Sequence, residues 1–260
     1  MDQRTYYLIY LQFLGFRYSG WQRQPGQKTI EGMLRKTLKF VLGDRPFKIL
    51  GAGRTDAKVS ALESAFELFL EEGPLEDTGA FLESFNANLP PDIRALRIRE
   101  VDGDFNIIHH CRQKEYCYFF AFGQKLHPFC APFMAGIPDQ LDIELMKETA
   151  PLFEGTHDFR AYTAKVNGQK QYRRTVTSCS IAENTVLQAN FFPATSFMLR
   201  ISGQGFMRYQ VRMIMGALIE LGRGNLSADA LRESLNPDTD RTLTYVAPGS
   251  GLVLNRVLFS

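Results

Sequence analysis

Apolar residues recur along the 260-residue chain with the periods of both strands and helices, and their succession sets out the elements. Tyr6 to Leu14 is aromatic and β-branched enough for a buried strand, and it runs into the glycine-bounded loop Gly15-Phe16-Arg17-Tyr18-Ser19-Gly20. Thr29 can cap a helix in which Ile30, Met33, Leu34, Leu38 and Val41 recur at helical spacing until Gly43 stops it. Phe47 to Gly51 and Ser64 to Leu70 read as strands, Asp77 to Leu89 as a helix broken by Pro90-Pro91, and Ile93 to Val101 as an alternating strand. The order β-α-β-β-α-β is the ferredoxin-like, or split βαβ, arrangement.

The second half repeats that order more loosely and without sequence identity. Tyr116 to Phe122 reads as a strand, Asp142 to Phe153 as a helix, and Thr175 to Ile181 and Phe197 to Ser202 as strands. Gln210 to Leu221 predicts a strongly amphipathic helix ending at Gly222, and Leu252 to Phe259 a closing strand. The pattern predicts an α+β protein of two ferredoxin-like (β-α-β-β-α-β) halves, residues 1–104 and 105–260. Lys165 to Gln171 reads as a polar, basic loop inside the second half.

The near-neutral total, 30 Lys+Arg against 28 Asp+Glu, hides charge blocks. Met1 to Leu62 holds 11 basic and 4 acidic residues, Glu63 to Asp104 reverses this with 3 and 11, and Phe159 to Ile219 holds 8 basic residues and the single acid Glu183. Two basic stretches far apart in sequence are the footprint that a polyanion needs if they converge, and solvated faces if they do not. The cysteines Cys111, Cys117, Cys130 and Cys179 form no CxxC pair, and the adjacent His109 and His110 lack metal-ligand spacing, so no metal site is expected. Scattered thiols suit reduced core residues, and the apolar start is too short to span a bilayer, which points to a cytoplasmic protein.

Candidate chemistry concentrates in Gly51-Ala52-Gly53-Arg54-Thr55-Asp56-Ala57-Lys58-Val59-Ser60-Ala61. Arg54 and Asp56, two apart, would share one face of an extended segment, where the arginine could keep the aspartate ionised or meet a phosphate. An aspartate that ties down a turn beside an exposed arginine fits the same spacing.

This segment resembles the active-site motif of the tRNA pseudouridine synthase A family, G-x-G-R-T-D-A-x-V-x-A. Six further segments match that family in order across nearly the whole chain: Tyr18-Ser19-Gly20-Trp21-Gln22-Arg23-Gln24, Asn86 to Ile93 (NANLPPDI), Lys114-Glu115-Tyr116-Cys117-Tyr118, Gly155-Thr156-His157-Asp158-Phe159, Gly205 to Gly216 and Gly251-Leu252-Val253-Leu254. The resemblance implies an isomerase that converts uridine to pseudouridine in the anticodon stem-loop of tRNA. Its two sheets would join into one central antiparallel sheet with helices outside and a catalytic cleft. It implies Asp56 as the nucleophile, Tyr116 stacking on the target base, Arg212 as counter-ion, Leu252 beneath the base, and Arg54 filling the space of the flipped-out nucleotide or gripping its phosphate. Arg23, Lys165, Lys170, Arg173, Arg174 and Arg208 are candidates for RNA backbone contact. The partners implied are tRNA and a second copy of the chain in a homodimer; no membrane and no cofactor are implied.

Three departures bear on target choice. Lys58-Val59-Ser60-Ala61 stands where many bacterial members read G-V-H-A, Phe105-Asn106-Ile107-Ile108 where they read F-H-A-R, and Arg208-Tyr209 where they carry paired histidines. The alternatives are a synthase acting at another RNA position, or an RNA-binding module of the same fold that lacks catalysis and stacks bases on Tyr10, Phe13 and Phe120.

Overall fold

The computed structural model describes residues 4–163, 172–237 and 243–260. They pack as two units, one built from the chain up to Arg112 together with Leu254–Ser260, the other from Gln113–Val253.

The first unit contains β1 (Thr5–Phe13), α1 (Ile30–Leu42), β2 (Phe47–Gly51), β3 (Ser60–Leu70), α2 (Thr78–Asn88) and β4 (Ile93–Val101). The order is the expected one, and the pairing is that of a split βαβ sheet. β1 lies between β4 and β3, β2 lies on the far side of β3, and every neighbour is antiparallel. The β1 sequence is apolar on both faces because Tyr7 to Leu11 is buried almost throughout. Thr29 caps α1 by accepting from the Gly32 N–H, and Asp77 caps α2 by accepting from Gly79 and Ala80. β3 begins at Ser60, four residues before its apolar run suggests, because Ala61 pairs with Phe13 across a bulge in β3, where three residues match two of β1.

A buried carboxylate interrupts this apolar sheet. Glu67 of β3 is 1% exposed; its Oε2 accepts from the Ile107 N–H at 3.1 Å, while Oε1 has no hydrogen-bond partner among the described residues. Burial raises its pKa, against the smaller opposing effects of the Ile107 hydrogen bond and the nearby His110. The folded state therefore holds this proton more tightly than the unfolded chain, so the stability Glu67 contributes is greatest below the ordinary carboxylate pKa and falls as pH rises through the folded one. Glu67→Gln is expected to raise the unfolding free energy at pH 8 by on the order of 1 kcal/mol, with the gain shrinking toward pH 4. Urea unfolding at the two pH values measures it, and a variant less stable at pH 8 than at pH 4, relative to wild type, would contradict this account.

The second unit holds most of β5 (Cys111–Phe122), then β6 (Ala135–Ile137), α3 (Ile143–Thr149), β7 (Gly155–Asp158), β8 (Arg173–Glu183), β9 (Phe197–Gly203), α4 (Gln210–Gly222), α5 (Ala228–Glu233) and the start of β10 (Leu252–Phe259). β5, β9, β8 and β7 follow one another antiparallel, and β6 adds to β5 in parallel. This is the mixed, mostly antiparallel α+β class that the pattern predicts, with β6, β7 and α5 as short additions. The amphipathic reading of α4 is corrected. All its residues except Arg212 and Glu220 are buried, because α3 packs on it and the Asp142 N–H bonds to the Gly222 carbonyl. A helix covered in this way has no solvent face to keep polar.

Candidate active site

Asp56 sits half-buried in the loop between β2 and β3, and main-chain hydrogen bonds hold that loop on either side of it. The Trp21 N–H donates to the Thr55 carbonyl at 3.0 Å, the Lys58 N–H to the Tyr18 carbonyl at 3.1 Å, and the Gly15 N–H to the buried Ser60 Oγ at 2.9 Å. The loop after β1 thus supports both flanks of Asp56. Two glycines allow it to come so close. A Cβ on Gly20, whose φ is +98°, would lie 2.6 Å from the Thr55 carbonyl oxygen, and one on Gly15 would run into the Val59 carbonyl.

Two of the departures noted in the sequence acquire a structural meaning here. Ser60 uses its hydroxyl to seat the Gly15 N–H. Lys58, another of these departures, adopts a left-handed backbone with φ +67° and holds its ammonium 5.5 Å from the Phe16 ring centroid. Arg54 is exposed on the same loop. A carboxylate fixed by its backbone, beside an exposed guanidinium, can serve as a nucleophile or base toward a polyanionic substrate.

The second unit carries the other three candidates, and two of them, Arg212 and Leu252, lie at the segment leading into β10. Arg212 of α4 donates from Nε to the Ala247 carbonyl at 2.7 Å and stacks over Tyr209, 5.0 Å from its centroid. The Tyr118 hydroxyl donates to the Pro248 carbonyl at 2.8 Å, so α4 and β5 both pin the residues just before Leu252, which is buried at the first position of β10. Tyr116 lies on β5 opposite Ile201 of β9, and Phe206 meets its ring edge-on at 5.5 Å. One residue earlier, the buried Glu115 pairs with Arg200 at 2.8 Å and fixes that strand. Phe206 escaped the sequence reading; its place in the Gly205 to Gly216 match was the available signal.

Among the RNA-contact candidates, Arg23, Arg173 and Arg208 are exposed and Arg174 is half-buried, while Lys165 and Lys170 lie outside the described residues. Arg208 lies over Tyr209 and donates to its hydroxyl at 3.1 Å. The rings that the binding-module alternative uses for base stacking are core residues. Tyr10, Phe13 and Phe120 are all under 9% exposed and pack on Phe259, Trp21 and Phe197, so the base-stacking platform of the binding-module alternative is overturned. Tyr162 and Tyr172, interleaved with the basic stretch, are buried too, with the Tyr162 hydroxyl hydrogen-bonded to Ser234 Oγ at 2.6 Å. Asn106 closes a turn by accepting from the Ile108 and His109 N–H groups.

Among the described residues, no group of three or more His, Cys, Asp or Glu side chains is placed to hold a metal ion, and no helix is long and apolar enough to cross a membrane. The four cysteines are all buried.

Comparison with known proteins gives a consistent picture. A family model described as tRNA pseudouridine synthase matches residues 149–260. The chain is similar to "tRNA pseudouridine synthase A" of Thermodesulfovibrio yellowstonii, 31% identical over 256 residues that cover 96% of this chain and 97% of that protein. It is similar to "tRNA pseudouridine synthase A 2" of Bacillus cereus, 31% identical over 97% of this chain and 99% of the relative. The "tRNA pseudouridine synthase A" of Aquifex aeolicus is 30% identical over 97% of this chain and 98% of its own length.

Proposed function

Given that this chain belongs to the tRNA pseudouridine synthase A family, an isomerase family acting on tRNA, we propose that it isomerises uridine in the anticodon stem-loop with Asp56 as its nucleophile. The reaction breaks the N1–C1′ glycosidic bond, forms a C5–C1′ bond, moves a proton from C5 to solvent and returns one to N1. Atoms and electrons balance without an oxidant, a reductant or a cofactor. Asp56 attacks C1′ of the ribose or C6 of the base, and Arg212 keeps it ionised. Tyr116 stacks on the flipped base and assists loss of the C5 proton, Leu252 packs beneath the base, and Arg54 holds the place or the phosphate of the extruded nucleotide. The functional unit is a cytoplasmic homodimer.

The observation that carries this reading is the Asp56 loop, clamped by main-chain hydrogen bonds on both flanks within the segment that resembles the family's active-site motif. Release of tritium from tRNA labelled at uracil C5 tests it directly, because only rearrangement at C5 expels that hydrogen; mapping of the product nucleotide then tests the position. Unlabelled water after complete conversion, or pseudouridine outside the anticodon arm, would reject the chemistry or the site respectively.

Arg173 and Arg174 open β8, with Arg173 exposed and opposite Asp158. Together with Lys165 and Lys170 they are assigned to the tRNA backbone. Neutralising any one should weaken binding alike for all tRNA sequences and lower the slope of log affinity against log salt by about one unit or less. Wild-type affinity and slope in the quadruple alanine variant would remove this stretch from the RNA path.

A further inference from the structure

We propose that Tyr18 and Asp92 are positioning residues for Asp56, acting through the loop after β1; this rests on the reading of Asp56 as nucleophile. Two matched segments, the one from Tyr18 and the one ending in Pro91-Asp92-Ile93, have no chemical role in the reaction itself. The structure joins them. The Tyr18 hydroxyl donates to Asp92 Oδ1 at 2.6 Å, and Arg17 donates to Oδ2 from Nε at 2.9 Å and from Nη2 at 2.7 Å. The Asp92 carbonyl also accepts from the Leu14 N–H at 2.9 Å, so one aspartate grips the loop after β1 at three points, residues 14, 17 and 18.

That loop is the surface on which the Asp56 segment rests. The Tyr18 carbonyl receives the Lys58 N–H, two residues past Asp56, and Trp21 donates to Thr55, one residue before it. Tyr18 therefore links the two layers, with its side chain on Asp92 and its main chain on the loop of Asp56. The rest of Tyr18 is immobilised: it is 2% exposed, and the Lys28 ammonium lies 4.9 Å from its ring centroid. Both groups keep the protonation this bond needs. Burial, then the Asp92 contact, raises the Tyr18 pKa far above that of a free phenol, while the hydrogen bonds from Tyr18 and Arg17 outweigh burial and hold Asp92 below its ordinary range.

Arg17 is exposed at 58% of its side chain and Asp92 at 9%, so the Tyr18 bond is the shielded member of the pair. A reacting group displaced by about 1 Å loses on the order of 100-fold in rate even when the change is remote from the chemistry. The coupling lies in backbone placement, which makes turnover the sensitive quantity and leaves the RNA-binding surface intact.

Single-turnover rates on saturating tRNA, measured well below each variant's melting temperature, test the inference. Tyr18→Phe is expected to lower the rate constant roughly 10- to 100-fold with the Kd for tRNA unchanged. Asp92→Ala should fall as far, and Asp92→Asn, whose amide oxygen still accepts from the phenol, should recover most of the rate. The double variant Tyr18→Phe/Asp92→Ala should be no slower than Asp92→Ala alone, since both remove one bond. A wild-type rate in Tyr18→Phe, with or without a lower melting temperature, overturns the inference, as does a double variant whose losses multiply. Asp56→Asn in the same assay separates the two levels: an active Asp56→Asn overturns the nucleophile reading and this inference together, whereas an inactive Asp56→Asn beside a fully active Tyr18→Phe overturns this inference alone.

Discussion

Asp56→Asn is expected to abolish pseudouridine formation, lowering tritium release by at least about 10,000-fold, while the Kd for tRNA changes less than about threefold. The substitution replaces one carboxylate oxygen, the nucleophile in the proposed reaction, with an amide nitrogen yet keeps size and shape. Main-chain bonds at Thr55 and Lys58, together with the Ser60 hydroxyl, hold the loop, and the substitution leaves all three in place. Its melting temperature should therefore stay close to that of wild type. Turnover above background in the pure variant would exclude Asp56 as nucleophile.

Tyr116 should show a graded loss. Tyr116→Ala removes a ring that is 9% exposed and packed edge-on against Phe206, and it is expected to cost about 1,000-fold in turnover along with several-fold weaker capture of the substrate. Tyr116→Phe keeps both the Phe206 contact and the stacking face but loses the hydroxyl. It should bind tRNA normally and slow at proton loss from C5, so that a hydrogen isotope effect at C5 becomes visible in single turnover. Wild-type rates in both variants would remove Tyr116 from the site. A normal rate in Tyr116→Phe with a slow Tyr116→Ala would leave it a stacking role only.

Local rules made the first half of the fold legible. β1 announces itself by apolar residues on both faces, α1 by Thr29 and its helical stripe, and α2 by Asp77 and the two prolines after Leu89, and each of these signals acts within a few residues of the chain. The candidate site was legible in the same way as far as residue identity goes, since Asp56, Arg54, Tyr116, Arg212 and Leu252 stand in short matched segments. What stayed hidden depends on partners remote in sequence. The exposure expected for one face of α4 is lost to α3, and the rings of Tyr10, Phe13 and Phe120 are taken up by core neighbours that no local pattern identifies.

The amino-acid sequence by itself determined the order and class of the longer elements and the residue types available for the chemistry, because caps, glycines and hydrophobic periods operate over one or two turns of chain, while the short β6, β7 and α5 lie below that signal. Only the tertiary structure decided how those residues are held. The Asp56 loop rests on Tyr18 and Trp21 through hydrogen bonds that span more than thirty positions, and Asp92 fixes Tyr18 from 74 positions away. Ser60 reaches Gly15 across 45, and Arg212 reaches Ala247 across 35. Such contacts form only when separate elements pack, so their geometry is a property of the folded chain and has no counterpart in any local stretch of sequence.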